Sequence, residues 1–168
     1  RVVIVVQKEE QKTIENFHFP AYNEIPDVGL FLEQTGKYIN EFLRPLFFEK
    51  STLERVFVLC FDSKNRLIIC RHICDGDISS AFFDIRELTR VVLEVNAQKI
   101  IIAHSHPHGI SLPSSEDISV TKCIFEMMKF IKVKLDDHII VTDTGYMSMA
   151  SSRHYTHIFY GLAPTAFV

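Results

Sequence analysis

A chain of 168 residues, 47% hydrophobic and 23% charged, carries enough apolar mass for one sizeable core, which excludes a disordered or collagen-like protein. A formal charge of −3 lacks the strongly basic footprint of most nucleic-acid-binding domains, although a local basic patch stays compatible with it. The apolar runs fall well short of the roughly 20 residues that span a bilayer, and no signal-peptide pattern opens the chain, so we expect no membrane partner.

Four cysteines without CxxC spacing, three of them in or beside apolar runs, fit a reducing compartment, and a cytoplasmic location is expected. Arg1 in place of an initiating Met leaves open whether the chain is a fragment of something longer.

In chain order, residues 1–6 (RVVIVV) predict a strand and the polar stretch 7–27 a connector, together an N-terminal segment. Over 28–48, Leu32, Ile39, Phe42, Leu43 and Leu46 recur at three- and four-residue steps, which predicts an amphipathic helix that Pro45 should end or bend. Strands over 55–61 and 66–72 flank the turn-forming Asp62-Ser63-Lys64-Asn65, a β-hairpin signal, and a polar turn follows around Asp75-Gly76-Asp77. A helix is expected over 85–95. The run KIIIA at 99–103 reads as a short strand covered on both faces, which delivers the chain to His104.

Pro113-Ser114 opens a helix over 114–132, with Ile118, Cys123, Ile124, Met127 and Met128 on or near its inner side. Strands are expected at 138–141 and around 146–149, joined at Thr144-Gly145. Residues 28–150 thus form the domain proper, and 151–168 a mixed tail packed on it.

The informative segment is 103–117, AHSHPHGISLPSSED. Residues i and i+2 of an extended strand share a side, so His104 and His106 can offer imidazole nitrogens to one ion about 2.0–2.1 Å away, while Ser105 points opposite. Asp117, one turn into the next helix, can supply a third ligand if the Gly- and Pro-containing loop folds back over the strand end. Two histidines and a carboxylate leave a fourth position for water. A plainer reading coexists with this one, because Ser114-Ser115-Glu116-Asp117 also matches a helix N-cap with acidic residues in the first turn.

His-x-His, seven residues, Ser, two residues, Asp resembles the JAMM motif of MPN+ metalloproteases at each defining position. The resemblance implies one zinc ion (Zn2+) held by His104, His106 and Asp117, with Ser114 helping to stabilise an oxyanion. It also requires a glutamate general base. Glu54, just ahead of the 55–61 strand, stands at the comparable point, while its rivals Glu87 and Glu94 lie in a predicted helix where exposure is the default.

Across about 28–150 the chain is similar to the RadC-like branch of this superfamily. The shared features include Arg86-Glu87-Leu88, Thr121-Lys122, Asp137-His138-Ile139-Ile140-Val141 and Gly145-Tyr146-Met147-Ser148. That branch usually has Asn at the Ser105 position and Ser-Gly at His108-Gly109, and a helix-hairpin-helix region upstream that these residues do not contain.

The implied fold is α/β, cytidine-deaminase-like, with a mixed, mainly antiparallel sheet flanked by helices. The implied activity is hydrolysis of a peptide or isopeptide bond in a peptide or protein substrate. A DNA partner is the less favoured alternative, and a non-catalytic MPN interaction module the third. His138 reads as either a support behind the metal ligands or a structural histidine, and His108 as either in reach of substrate or simply solvated, the plainer reading being preferred for both, while His154 and His157 carry no role. Specificity is expected in the loops 75–83 and 107–113, and the oligomeric state is open.

Overall fold

The computed structural model describes residues 2–7, 10–14, 53–76 and 84–161, together with the helical positions 37, 40–41, 43–45 and 47–48. Its strands are β1 (Val2–Gln7), β2 (Glu10–Ile14), β3 (Arg55–Phe61), β4 (Leu67–Asp75), β5 (Lys99–Ser105), β6 (Lys134–Val141) and β7 (Tyr146–Ser148). The helices with complete bounds are α1 (Ile85–Glu94), α2 (Ser115–Phe130) and α3 (Thr156–Tyr160). The seven strands form one mixed sheet in the order β2-β1-β4-β3-β5-β6-β7. Its pairs are antiparallel except β1 with β4 and β5 with β6.

β3 shows why the sheet lies in the middle. Every residue of this strand is buried, with Val56, Val58 and Cys60 in one apolar cluster and Phe57, Leu59 and Phe61 in another. A period of two thus feeds both faces. The first face is covered by Leu88, Val91 and Val92 of α1, Ile124 and Met128 of α2, and Ile158 and Phe159 of α3. On the second face sit Leu43 and Phe47, with the Phe47 ring edge-on to Phe57 at 5.2 Å between centroids. In β5 the even residues Ile100 and Ile102 belong to the first face, and His104 continues that row toward α2.

Several expectations are corrected. The connector 7–27 contains β2, a polar edge strand whose residues lack an apolar period because an edge need not be buried. β4 runs on to Asp75, held by its ion pair with Arg55 at 2.9 Å, so the turn begins at Gly76 with φ 101°. Pro45 does not end its helix, since Phe47 and Phe48 are helical beyond it. The ring fixes a φ that suits a helix and removes only one donor. The rest of the connector, residues 15–27, and residues 28–36 of the expected helix lie outside the described residues.

Cys123 is exposed rather than on the inner side of α2, whose buried row is Asp117, Thr121, Ile124 and Met128. The tail contributes α3, which buries Ile158 and Phe159. Among the described residues no helix is long and apolar enough to cross a membrane.

β6 starts four residues before the expected 138 and takes in two buried aspartates, Asp136 and Asp137. Asp136 takes ion pairs from Lys99 at 3.2 Å and Lys134 at 2.6 Å. Asp137 accepts the N–H groups of His138 at 2.7 Å and Ala150 at 2.9 Å, and the Ser148 hydroxyl at 2.6 Å.

Burial pushes the Asp137 carboxyl up to about 7, and its hydrogen bonds only partly oppose that. A carboxyl raised in this way stabilises the fold fully below its unfolded value of 3.8, and the contribution is lost as pH rises through about 7. Asp137→Asn keeps an acceptor for the two N–H groups and removes the titration. Between roughly pH 4 and pH 7 the wild type is expected to lose melting temperature relative to the variant. Parallel curves would contradict this account.

Candidate metal centre

The site is assembled where β5 ends over the N-terminus of α2. His104 is fully buried, and His106, just past the strand, is half-buried and pinned to β6 by its backbone N–H to Val141 O at 2.9 Å. The His106 Nδ1–H donates to Ile110 O at 2.9 Å, which turns Nε2 inward. The chain then reverses sharply. His108 adopts a left-handed φ of 58°, and Gly109 N–H bonds to His106 O at 3.2 Å. A Cβ on Gly109 would lie 3.2 Å from the His106 Cβ, so a residue without one lets the loop close tightly against the imidazole.

Ser114 caps α2, and the cap is what fixes Asp117. The Ser114 Oγ accepts the Asp117 N–H at 3.0 Å, while Asp117 Oδ2 accepts the Ser114 N–H at 2.7 Å and the Ser114 hydroxyl at 2.8 Å. The N-cap reading and the ligand reading are therefore one arrangement. Asp117, only 1% exposed, points its Oδ1 to His104 Nε2 at 3.2 Å and its Oδ2 to His106 Nε2 at 3.4 Å. The two Nε2 atoms are 2.8 Å apart. Among the described residues, these three side chains form the group whose donor atoms converge within 4.8 Å.

The electrostatics follow from that convergence. Burial alone would raise the Asp117 carboxyl, but its close contacts with the His104 and His106 imidazoles, together with the hydrogen bond from the Ser114 N–H, hold it far below the usual carboxylate range. His106 is raised, first by its hydrogen bond with Asp117 against the cost of burial, and in part by the negative charge of Glu54. The β3–β5 ladder ends at Val56↔His104, and Glu54 and His106 lie just outside the two strands, near enough for the Glu54 charge to act on His106. Glu54 is itself half-buried. Its rivals are engaged elsewhere: Glu87 pairs with Arg90 at 2.7 Å, and Glu94 with Arg90 at 2.7 Å and Arg71 at 3.6 Å.

Ser105 is buried and turned away, its Oγ accepting the Arg55 N–H at 3.0 Å. His108 is mostly exposed and pairs with Asp143 at 3.0 Å. Of two further residues at the site, Thr121 was not read from the sequence as a site residue, and for His138 a supporting place behind the ligands was the less favoured reading. His138 on β6 and Thr121 on α2 are both fully buried, and they form a chain behind His104. The available signals were the four-residue step from Asp117 to Thr121, which shares a helix face, and the His138 position within a strand beside β5.

The donor set suits a metal ion. Two imidazole nitrogens 2.8 Å apart and two carboxylate oxygens beside them bring together lone pairs that a shared cation or proton must reconcile. Nitrogen and oxygen donors of this kind suit a divalent metal ion.

A family model described as RadC-like JAB domain matches residues 33–154. The chain belongs to the RadC-like JAB domain family. A UPF0758 protein of Alcanivorax borkumensis is 35% identical over 120 residues, 71% of this chain and 51% of that one. A second, from Photobacterium profundum, is 32% identical over 124 residues, covering 74% and 53%. A third, from Clostridium acetobutylicum, is 35% identical over 132 residues, covering 78% and 56%. Their names assign no activity, and the chain spans about half the length of these RadC-like relatives.

Proposed function

We propose that the chain is a zinc-dependent hydrolase of amide bonds, acting on a peptide or isopeptide linkage in a peptide or protein substrate. One observation carries the reading: His104, His106 and Asp117 turn their donor atoms on a common point, with Glu54 near enough for its charge to act on His106. His104, His106 and Asp117 would hold the ion, and zinc when bound supplies Lewis acidity that makes a coordinated water acidic near neutrality. Glu54 takes the proton from the attacking water and passes it to the departing amine. Ser114 holds Asp117 in place, and by turning its hydroxyl proton away from Asp117 Oδ2 it can donate to the carbonyl oxygen as negative charge develops there.

The test is metal analysis by mass spectrometry on protein purified without chelator, followed by a peptide and isopeptide substrate screen. One equivalent of zinc and chelator-sensitive cleavage are expected. A protein that binds no zinc when it is supplied, or hydrolysis indifferent to chelation, would overturn the reading.

A further inference from the structure

Behind His104 lies a closed run of short hydrogen bonds. His104 Nδ1 is 2.6 Å from His138 Nε2, His138 Nδ1 is 2.6 Å from Thr121 Oγ, and the Thr121 hydroxyl donates to Asp117 O. His104, His138 and Thr121 are each fully buried, so the protons must be shared among these groups alone.

The count starts at Thr121. A hydroxyl has one proton, and Asp117 O takes it, so toward His138 the same oxygen is an acceptor. His138 therefore carries its proton on Nδ1. Its Nε2 is then a bare acceptor, which the His104 Nδ1–H must fill. That leaves His104 Nε2, the atom facing Asp117 and His106, with a free lone pair.

We infer that Thr121 and His138 are positioning residues which fix His104 as its Nδ1–H tautomer and so hold Nε2 ready as a metal ligand. The chain also ties together three elements, since it begins on β5, crosses to β6 and returns through α2 to the backbone of the residue whose carboxylate faces His104. Outer partners of this kind commonly tune a metal site through the orientation and basicity of its imidazole.

The tautomer assignment stands on hydrogen-bond accounting alone, whereas its effect on affinity rests on the zinc reading above. Two measurements keep them apart. Long-range 1H–15N NMR on the metal-free, histidine-labelled wild type is expected to show both His104 and His138 protonated on Nδ1. His104 protonated on Nε2 would overturn the inference, whether or not zinc binds.

Zinc affinity by chelator competition is expected to fall about 10–100-fold in Thr121→Val, which keeps the shape and deletes the hydroxyl. Thr121→Ser is expected to restore it. Unchanged affinity in a folded Thr121→Val protein would reject the positioning role. A wild type that shows these tautomers but takes up no zinc would reject the metal reading and leave the tautomer assignment intact.

Discussion

Replacing Glu54 by glutamine is expected to slow hydrolysis about 10²–10⁴-fold, the usual contribution of a positioned general acid–base group, while leaving zinc bound. The argument is one of placement. Glu54 lies just ahead of β3, near enough for its charge to act on His106, yet outside the converging donor atoms. The substitution keeps the shape and removes the proton acceptor. Its backbone carbonyl, which accepts the Gly76 N–H at 2.7 Å, is untouched, so the loop that places it should survive. Zinc content and rate are to be measured on the same sample. Loss of zinc would move Glu54 among the ligands, and full activity would remove it from the chemistry.

The larger effect is expected from Asp117→Ala, which should lower zinc affinity by more than the ~100-fold upper range for outer partners of a metal site and abolish detectable turnover. Asp117 provides the only carboxylate in the converging group, and it meets both imidazoles. Its hydrogen bond is also the main reason that His106 holds its proton more tightly than usual. In the metal-free variant, His106 should return toward its ordinary value of 6.5, which NMR titration reads directly.

In the wild type the sign is fixed. Protons compete with metal for His106, so zinc affinity should fall as pH drops through the raised value. Zinc binding in Asp117→Ala equal to that of wild type would dispose of the proposed ligand set.

Much of this was legible in the residues because the signals were short-range. The alternation in 55–61 and the apolar run at 99–103 each obey one local period, and the structure places β3 and β5 there. The histidine pair and Asp117 could be read because strand and helix geometry fix where i+2 and the first helical turn point.

What stayed hidden depended on partners remote in sequence. The start of β6 was missed because two aspartates are unusual in a buried strand, and here lysines and hydrogen-bond donors from elsewhere make their burial tolerable. β2 was silent because an edge strand can stay polar. His138 gained meaning only when β6 paired in parallel with β5. Ser114 read as two separate possibilities, cap and site residue, and a single set of hydrogen bonds joins them.

The parallel crossing from β5 through α2 to β6 holds the two imidazoles, the carboxylate and the buried pair behind them, whereas Glu54 arrives from β3, a different stretch of chain. On the proposed function, capturing an ion and acting through it would thus be written in separate passages of sequence. A descendant altered only at the entrance to β3 would inherit an intact but inert ion trap, so zinc content alone is a poor proxy for activity among its kin.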